Sequence, residues 1–511
     1  MSRLFRHNSS VRSVCILHAL LAALWLSPVV AAQTVQNRFD QILTDPALRS
    51  SRVGAIVIDA RSGQTIAQWH ADDKFIPASN MKLLTSGVAL SQLGDDFVFR
   101  TQLLYDDTFV DDSGTVGRVI LRGSGDPALA DPKLLDAMGM TPEDVIQSWT
   151  DALKKADVVG PVAELVIDDR IFDRVHVHPS WPVQQLNRWY CAEVSGLNFH
   201  TNLLMIFTQP QAPGQPPLIR TEPSAPWLLI RNRAKSVREG NHTAWAARAL
   251  GSNRITLHGD VRWGTDPVEL AMTDTSMFVA RLLSTSMAAA GLAPTNIRLA
   301  DPDERLDDGR VVHVITTDME TVLGRCNTDS YNLYAECLLK RLGYEMTRQP
   351  GSWSSGAALE RMVLLEKIGP MIAQSLVIAD GSGMSRENRV TPRLLAEWLL
   401  ALIDDPHESA FTASLPSANL HEGTLRKRFH SIQLHNEVRA KTGYLSGVSA
   451  ISGYVIDRRT QRRVVFSIIT NDKPSSVRLA LIRGLEENIV SLADQWLTQR
   501  TAARTVQAQP E

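Results

Sequence analysis

The 511-residue chain has few cysteines, no excess of charge of either sign and no apolar run of membrane-spanning length. Its four cysteines are far too few for a fold held together by disulfides. The 53 Lys and Arg are balanced by 55 Asp and Glu, which argues against nucleic acid as a partner. The 13 His are scattered, and neither a Cys-x-x-Cys pair nor a His-Glu-x-x-His segment occurs. We therefore expect no metal and no other cofactor.

Length and composition indicate a large globular protein. At about 150 residues per domain, the chain is long enough for two to four domains. An apolar fraction of 44% and a charged fraction of 21% exclude a disordered, collagen-like or coiled-coil chain.

The first 32 residues have the layout of a cleavable secretory signal. Three arginines and no acid accompany an apolar run from Val14 to Leu26, and small residues follow up to Ala32. The run is shorter than the roughly 20 residues that cross a bilayer, although a membrane anchor is the alternative. We expect cleavage after Ala32 and an exported, soluble mature protein without a membrane span.

The mature chain keeps Cys191, Cys326 and Cys337, so it can form one disulfide at most. Cys326 and Cys337 are eleven residues apart, and on one helix that spacing would hold them about three turns apart and forbid a bridge. If Cys326 lies outside that helix, the pairing stays open.

Strand-like and helical segments at both ends of the chain predict one sheet assembled from distant parts of the sequence. Hairpin signals cover residues 53–60 with 65–70 and residues 449–457 with 464–470, and helical patterns run from Ser79 to about Gly94 and over residues 479–496. Between residues 97 and 268 the pattern changes to short strand-like runs broken by Gly, Pro and Asp, with an exposed loop at 209–217. We expect an α+β fold in which residues 33–96 and 269–511 form the catalytic domain and residues 97–268 form a β-rich insert.

Ser79 and Lys82 form a Ser-x-x-Lys pattern at the start of a predicted helix. Residues three apart on a helix share a face, so the amine can reach the hydroxyl and activate it as a nucleophile. Unpaired backbone N–H groups at the helix start can also stabilise an oxyanion. Alone the pattern is weak, because an N-cap serine beside a solvated lysine looks the same.

Two further patterns follow in order along the chain. Ser330-Tyr331-Asn332 precedes an apolar helical pattern, so its two polar side chains can face a cleft at a helix start. Lys441-Thr442-Gly443 precedes a strand-like segment, where a small residue lets a peptide-like ligand lie along the strand edge.

The order Ser-x-x-Lys, Ser-x-Asn, Lys-Thr-Gly is the signature of penicillin-binding proteins and serine β-lactamases. The 251 residues from Ser79 to Ser330 are far more than a β-lactamase needs. With Gly123–Pro127 and Asp380–Arg386, the layout resembles the class C low-molecular-mass penicillin-binding proteins, the D-alanyl-D-alanine carboxypeptidase/endopeptidase family. The resemblance implies a β-lactamase/transpeptidase-like domain, with an antiparallel sheet between helices on both faces, and two small domains nested in the insert.

The resemblance also assigns catalytic roles. Ser79 would be the acylated nucleophile and Lys82 its base, although which group takes the first proton stays open. Ser330 and Lys441 would relay a proton to the departing D-amino acid, and Asn332 would hold the substrate amide. The backbone N–H groups of Ser79 and Tyr444 would form the oxyanion hole, and Thr442, next to Gly443, would bind the substrate carboxylate.

A pocket for the free end of diaminopimelate is implied in the same way. Asp168 would meet its amine and Arg386 its carboxylate, while Phe172 and Ser446 would line the rest. A zwitterion requires one charge of each sign near its two ends. The alternative is an Asp in a turn and an Arg in a surface ion pair.

Three positions depart from the family pattern. Tyr444 replaces the usual Ser or Thr after Lys-Thr-Gly, Tyr331 replaces the frequent Asp between Ser and Asn, and Asn419 replaces a usual Gly. None removes a catalytic group, so the departures bear on substrate preference and rate.

We therefore expect a periplasmic serine hydrolase that acts on peptidoglycan stem peptides and is acylated by β-lactams. A serine β-lactamase or esterase is the first alternative, since residues 193–198 loosely resemble the Glu-x-x-Leu-Asn element of class A lactamases with one residue too many. A non-catalytic wall-binding relative is the second. The balance of carboxypeptidase and endopeptidase activity and a homo-oligomeric state stay open.

Overall fold

The computed structural model describes residues 35–48, 50–264 and 266–507, and within these ranges it leaves out the side chains of 47 and 502–507. The expected export signal, residues 1–32, and its cleavage site lie outside the described residues.

The described chain alternates between strands and helices throughout its length. In chain order the strands are β1 (Arg52–Asp59), β2 (Gln64–Trp69), β3 (Val98–Val110), β4 (Val116–Arg122), β5 (Val162–Asp168), β6 (Leu203–Gln209), β7 (Leu218–Glu222), β8 (Ile230–Asn232), β9 (Lys235–Ser236), β10 (Trp245–Arg248), β11 (Ile255–His258), β12 (Asp260–Val261), β13 (Val268–Ala271), β14 (Pro294–Leu299), β15 (Arg310–Asp318), β16 (Glu437–Leu445), β17 (Val448–Ile456) and β18 (Arg463–Asn471). The helices are α1 (35–43), α2 (Met81–Leu93), α3 (Pro132–Met138), α4 (Pro142–Lys155), α5 (Thr275–Ala289), α6 (Met319–Asn327), α7 (Asn332–Thr347), α8 (Trp353–Ile368), α9 (Pro370–Ala373), α10 (Pro392–Leu402), α11 (Glu408–Ser414) and α12 (Leu479–Gln507).

The first sheet joins the two ends of the described chain. Its strand order is β16-β17-β18-β1-β2, and every neighbouring pair is antiparallel. Because side chains alternate along a strand, β1 contributes to two cores. Ile56 and Ile58 pack with α2, α7 and α10 on one face, whereas Ala55 and Val57 pack with α1 and α12 on the other. The predicted α+β class, with an antiparallel sheet between two helical layers, is confirmed.

The middle of the chain forms a second five-stranded sheet, with the order β14-β5-β4-β3-β15. Strands β4, β5 and β14 run parallel to one another, while β3 pairs antiparallel with both β4 and β15. One face packs on α4 and α5 through fully buried residues such as Trp149 and Leu283. The other face covers a smaller core that includes Leu104 and Val166.

This second sheet extends past residue 268, where the sequence-based division ends the insert. Strands β14 and β15 lie at 294–318, yet they pair with β5 and β3. Pairing between strands so far apart in sequence leaves no local pattern from which a boundary could be read. The predicted start at residue 97 lies next to Val98, the first residue of β3.

Three small sheets lie in the chain between β6 and β13. Their orders are β13-β6-β7, β10-β11-β8 and β12-β9. The predicted exposed loop at 209–217 connects β6 to β7.

Buried polar contacts join the insert to the catalytic domain. Lys340 on α7 is fully buried, and its Nζ donates to Asp173 Oδ1 at 2.6 Å and lies 3.9 Å from the centroid of the Trp353 ring. The Trp181 indole N–H donates to Asp380 Oδ2 at 2.8 Å. The segment that follows β5 therefore lies against α7 and the loop before α10, which are the elements that surround the candidate site.

Candidate active site

Ser79 lies in a short 3-10 turn, Ala78–Asn80, that leads directly into α2. The turn is held from the sheet side: the Asn80 side chain donates to the Lys441 carbonyl oxygen at 2.8 Å and accepts from Ser452 Oγ at 2.9 Å. Ala78 has a φ of +48°, a strained conformation for a residue with a side chain. The turn is therefore fixed on both sides of Ser79, and the Ser79 hydroxyl remains partly exposed.

The Lys82 amine lies beside the Ser79 hydroxyl. Lys82 is fully buried, and its Nζ donates to Ser79 Oγ at 3.2 Å, Asn332 Oδ1 at 2.7 Å and the Ser382 carbonyl oxygen at 2.9 Å. Burial lowers the pKa of Lys82 to about 8, although nearby negative charge from Glu336 and other groups opposes the shift. About a tenth of Lys82 is therefore neutral at pH 7 and able to accept a proton, and that fraction rises as the pH approaches 8.

A second serine–lysine pair faces the same site. Lys441 Nζ donates to Ser330 Oγ at 2.7 Å and to the Thr442 carbonyl oxygen at 2.9 Å. Burial, followed by the positive charge of Lys82, holds the pKa of Lys441 well below its usual value. Two amines and two hydroxyls are thus arranged as two hydrogen-bonded pairs.

Asn332 is oriented by the insert. Its Nδ2 donates to the Tyr190 carbonyl oxygen at 2.8 Å, and its Oδ1 accepts from Lys82. Because the amide has one accepting and one donating end, the contact with Tyr190 fixes which end faces Lys82. No pattern in the sequence indicates this role of Tyr190, which is 142 residues away along the chain.

Strand β16 is an edge strand, and it passes directly beside the Ser79 turn. A Cβ at Gly443 would lie 2.8 Å from the Pro77 carbonyl oxygen and 3.1 Å from the Ser79 backbone nitrogen. The absence of a side chain at this position therefore allows the strand and the nucleophile turn to approach closely. Thr442 is partly buried next to it, and Tyr444 is 55% exposed.

Glu336 is a buried acid at the site that the sequence analysis missed. Its two carboxylate oxygens accept from the Gly381 and Ser382 backbone N–H groups at 3.0 and 2.9 Å and from the Trp353 indole at 2.8 Å. Burial raises the pKa of Glu336 to about 7. A signal was available: an acid four residues after Asn332, inside an apolar helical run, lies on the helix face that carries Asn332.

The loop from Asp380 to Ser385 packs behind the nucleophile turn. Asp380 is fully buried and accepts from the backbone N–H groups of Gly383 and Ser385 at 2.9 and 2.6 Å. A Cβ at Gly383, whose φ is +82°, would lie 1.8 Å from the Ala78 carbonyl oxygen. The Gly-Ser-Gly segment is thus shaped by contact with the turn that carries Ser79.

The four residues predicted for the diaminopimelate pocket fall into two pairs. Arg386 Nη2 donates to the Ser446 carbonyl oxygen, so these two exposed residues are in contact. Asp168 instead ends β5, and its carboxylate accepts from Arg122 at 3.0 Å and Arg170 at 2.8 Å. Burial raises the pKa of Asp168, but the two guanidinium groups outweigh it and hold the pKa below its usual range.

Phe172 is also buried, at 1% exposure, in the core shared by the two regions. With both Asp168 oxygens engaged by arginines, the geometry favours an internal ion-pair role for this acid over an amine-binding one. These contacts do not support the assignment of Asp168 and Phe172 to the diaminopimelate pocket, which stays a prediction. The assignment of Arg386 and Ser446 to that pocket also stays a prediction, although these two residues contact each other.

The three departures from the family pattern have separate environments. Tyr331 lies between the rings of Trp189 and Tyr334, with centroid distances of 5.1 and 5.7 Å. Asn419 accepts from the Val438 backbone N–H at 2.9 Å and so holds the start of β16. The exposed Tyr444 ring is the departure that an incoming ligand would meet.

The segment that loosely resembles a lactamase element has its acid bound away from the Ser79 site. The Glu193 carboxylate accepts from Thr273 Oγ1 and, at 2.9 Å, from the Asp274 backbone N–H. Its hydrogen-bond partners are therefore residues between β13 and α5 rather than Ser79 or Lys82.

The cysteines at 191, 326 and 337 are buried and free. Cys326 lies on α6 and Cys337 on α7, so the two are not on one helix and are not bridged. Within the described ranges, no group of three or more His, Cys, Asp and Glu is arranged to hold a metal ion. In that same part of the chain, no helix combines the length and the apolar character that crossing a bilayer requires.

Comparison with known proteins places this geometry in a family. The D-Ala-D-Ala carboxypeptidase 3 (S13) family matches residues 35–489. The D-alanyl-D-alanine carboxypeptidase of Actinomadura sp. (strain R39) is 29% identical over 463 residues, which cover 88% of this chain and 82% of that protein. The D-alanyl-D-alanine carboxypeptidase DacB of Haemophilus influenzae is 22% identical over 481 residues, 92% of this chain and 96% of that protein.

Solved structures share the fold. The crystal structure of penicillin binding protein 4 from Haemophilus influenzae has a TM-score of 0.72 at 21% identity and covers 89% of this chain and 98% of that chain. The β-lactamase/transpeptidase-like fold expected from the sequence is confirmed by this likeness. Because the family matches most of the described chain, the protein belongs to the D-Ala-D-Ala carboxypeptidase 3 (S13) family of serine hydrolases.

Proposed function

We propose that this serine D-Ala-D-Ala carboxypeptidase works in the periplasm, where it trims terminal D-Ala from peptidoglycan stem peptides and cleaves D-alanyl cross-links through an acyl-enzyme on Ser79. The observation that carries the proposal is the 3.2 Å contact between Lys82 Nζ and Ser79 Oγ, with the pKa of the buried amine lowered to about 8. A serine hydroxyl is a weak nucleophile at neutral pH unless a base of this kind can take its proton.

In the first step, Ser79 Oγ attacks the carbonyl carbon of the scissile D-alanyl peptide bond. The serine proton passes to the neutral amine of Lys82, which is the basic group within hydrogen-bond distance of Ser79 Oγ. The carbonyl oxygen becomes an oxyanion, which the backbone N–H groups of Ser79 and Tyr444 would stabilise.

In the second step, the C–N bond breaks and the departing nitrogen takes a proton. Ser330 Oγ supplies it and is reprotonated from Lys441, which lies 2.7 Å away. The product is an ester on Ser79 and a free D-amino acid or peptide amine. A water molecule then attacks the ester carbonyl and gives one proton to Ser79 Oγ, while the shortened peptide leaves as a carboxylate and its proton passes to solvent. The proton that Lys82 took up replaces the one that Lys441 gave to Ser330, so both amines return to their starting states.

The open edge of β16 is a suitable platform for an extended D-alanyl peptide. A peptide that lies along Thr442 and Gly443 would bring its carbonyl carbon to Ser79, because Gly443 approaches the Ser79 turn closely. Thr442 would bind the terminal carboxylate. Asn332, held by Tyr190, would contact the substrate amide.

β-Lactams would enter by the same route. The lactam carbonyl acylates Ser79, and because the leaving nitrogen stays tethered in the acyl group, water is poorly placed to release the adduct. A solved structure of penicillin binding protein 4 from Haemophilus influenzae in complex with a β-lactam has a TM-score of 0.67 with this chain at 20% identity, which supports the proposal.

Intact-mass spectrometry with and without benzylpenicillin tests the proposal. We expect a stable adduct of one drug molecule on the wild type and none on Ser79→Ala, whereas Ser62→Ala, an exposed serine in the turn after β1, should acylate like the wild type. Release of D-Ala from a soluble pentapeptide and cleavage of a cross-linked dimer would then measure the two activities separately.

The alternatives give different time courses. An adduct that vanishes while the drug is consumed would point to a β-lactamase, and the absence of any adduct would point to a non-catalytic relative. Equal label on Ser79→Ala would refute the nucleophile assignment. Recovery of the protein from the periplasmic fraction, with its N-terminus after Ala32, tests the location.

A further inference from the structure

The insert contains a segment whose charge differs from the rest of the chain. Between Gln209 and Gly264 there are eight Lys and Arg but three Asp and Glu, although the whole chain has a formal net charge of −2. Most of these cations are exposed and make no ion pair. Within the described residues 209–264, the exposed cations without a carboxylate in ion-pair distance are Arg231, Arg233, Lys235, Arg238, Arg254 and Arg262.

Other arginines of the protein are held by acids. Arg118, Arg298 and Arg428, for example, each donate to a glutamate at 2.9 Å or closer. Those three arginines are largely buried, whereas the six cations of residues 209–264 are exposed, lie close together in the sequence and outnumber the acids of that segment. Unpaired, solvated cations are free to meet an anionic partner without first breaking an internal ion pair.

Exposed aromatic residues lie on the same unit. Trp245 and His258 are direct cross-strand partners in β10 and β11, and their rings stack at 4.4 Å with an interplanar angle of 13°. Leu257 and Ile255 alternate with His258 along β11, so they point to the other face of the sheet, and both are buried. Trp245 is 49% exposed, so the stacked pair forms a flat aromatic platform on the solvent side.

The strand register adds a cation to this platform. Arg231 pairs with Thr256 in the β8–β11 ladder, and Thr256 is two residues from His258. Because side chains two residues apart on a strand share a face, Arg231 lies on the same side of the sheet as Trp245 and His258. We call this side of β10-β11-β8 the basic face.

The sheet that bears the basic face is attached to the active site. Arg248, the last residue of β10, donates to the Ala271 carbonyl oxygen at 2.6 Å and to the Leu186 carbonyl oxygen at 3.4 Å. Four residues after Leu186, the Tyr190 carbonyl oxygen holds Asn332. The basic face and the catalytic asparagine are thus connected through one short segment of the insert.

We infer that the basic face binds the polymeric substrate, the glycan strands of peptidoglycan with their stem peptides, outside the Ser79 cleft. The inference rests on the proposed function, because it assumes a peptidoglycan substrate. Stem peptides offer a repeated series of carboxylates to the unpaired cations, and sugar rings offer apolar C–H faces to the Trp245 platform. A soluble peptide occupies only the Ser79 cleft and does not reach this face. The basic face therefore increases affinity for polymeric peptidoglycan and not for soluble peptides.

Co-sedimentation with insoluble peptidoglycan tests the inference. The full mature chain in a Ser79→Ala background prevents digestion, and it is compared with the same chain carrying two charge reversals, or Trp245→Ala. The reversals are Arg231→Glu on the basic face and Arg254→Glu on the exposed cation two residues before Thr256. The matched control carries Arg281→Glu and Lys427→Glu, two exposed cations elsewhere with the same change in net charge. We expect roughly tenfold weaker binding for the charge-reversed face, several-fold weaker binding for Trp245→Ala, and wild-type binding for the control.

Binding should also weaken as salt is raised, because exposed charges are screened. In the active background, the face variants should keep wild-type turnover of a soluble pentapeptide, wild-type penicillin acylation and wild-type thermal stability. Turnover and acylation separate the two proposals, since an inactive Ser79 would abolish both without affecting sedimentation.

Three results would overturn the inference. The first is unchanged sedimentation of the face variants, and the second is an equal loss in the control variant. The third is preferential binding to vesicles of anionic phospholipid, which is the competing occupant because Leu229 and Leu250 are 80% and 70% exposed beside the basic face.

Discussion

Lys82 and Glu336 are joined through the backbone of one residue, Ser382. The Ser382 N–H donates to Glu336 Oε1 at 2.9 Å, and the Ser382 carbonyl oxygen accepts from Lys82 Nζ at 2.9 Å. Glu336 also lies one helical turn after Asn332, another acceptor of Lys82. The buried carboxylate thus holds the backbone that supplies one of the three acceptors of the Lys82 amine, and its negative charge raises the pKa of that amine.

Glu336→Gln should therefore shift the pH dependence of acylation. Above about pH 7 the wild-type Glu336 carboxylate becomes ionised and favours protonated Lys82. Glutamine carries no charge, so the pKa of Lys82 should fall and the rising limb of the acylation rate should move to lower pH by about half to one unit. The measurement is the second-order rate of benzylpenicillin acylation across the pH range.

Glu360→Gln is the matched control. Glu360 is also fully buried, but it binds Thr85 Oγ1 at 3.1 Å and is not among the charges that shift the pKa of Lys82. Its replacement should leave the pH midpoint of the rise in acylation rate unchanged. If the pH midpoint of acylation shifts equally in both variants, or in neither, the charge of Glu336 does not act specifically on Lys82.

The protonation of Lys82 should determine how the acylation rate rises with pH on the acid side. The amine accepts a proton only when neutral, so acylation should rise with pH and level off above a midpoint of about 8, the pKa of Lys82. Lys82→Arg keeps the positive charge but cannot be deprotonated, so we expect a loss of roughly 10²- to 10⁴-fold in acylation rate at every pH. The control is Lys74→Arg, on an exposed lysine before the Ser79 turn, and it should behave as wild type. If Lys82→Arg kept the wild-type pH midpoint, the assignment of Lys82 as the base for Ser79 would be contradicted.

The two serine–lysine pairs could be predicted, one from local spacing and the other from the order of the motifs. Ser79 and Lys82 are three residues apart on one helix, and the order of the three motifs along the chain linked them to Lys441 and Ser330. The sheet built from both chain ends followed from continuous apolar segments such as residues 53–60, and the structure places β1 at Arg52–Asp59, one residue earlier at each end.

What could not be predicted depends on contacts between distant segments. The role of Tyr190 comes from a backbone carbonyl, which any residue would present, so its identity carries no signal. No local pattern in the sequence indicates that β14 pairs with β5. For Asp168, the sequence showed an acid near a turn, but its two arginine partners include Arg122 from another strand, so its internal ion pairs were not visible.

Gly383→Ala should disable the enzyme through the nucleophile turn. The new methyl group would lie 1.8 Å from the Ala78 carbonyl oxygen, so the turn that carries Ser79 must move. A displacement of about 1 Å at a reacting group lowers rates by roughly 10²-fold, and we expect a loss of that size in penicillin acylation.

Gly369→Ala separates this contact from backbone strain. Gly369 has a φ of +81°, nearly the +82° of Gly383, but a Cβ there meets nothing within 4 Å. Both variants should lose about 1–3 kcal/mol of stability from strain, and only Gly383→Ala should lose acylation as well. Comparable acylation in the two folded variants would show that the contact with Ala78 does not position Ser79.

Arg325→Met should destabilise the junction between the insert and the catalytic domain. Asp131 is fully buried and caps α3, and it accepts from Arg325 Nε and Nη2 at 2.9 and 2.8 Å and from the Tyr334 hydroxyl at 2.5 Å. Removing the guanidinium leaves a buried carboxylate without its counter-charge, and such a loss costs about 3–5 kcal/mol. Chemical denaturation should show that decrease in the free energy of unfolding.

The comparison is Arg348→Met, which breaks an ion pair with Glu345 on an arginine that is 69% exposed, against 11% for Arg325. Exposed pairs contribute about 0–1 kcal/mol, so this variant should unfold nearly as the wild type does. A loss below about 1 kcal/mol for Arg325→Met would mean that the junction is held instead by contacts such as that between Lys340 and Asp173.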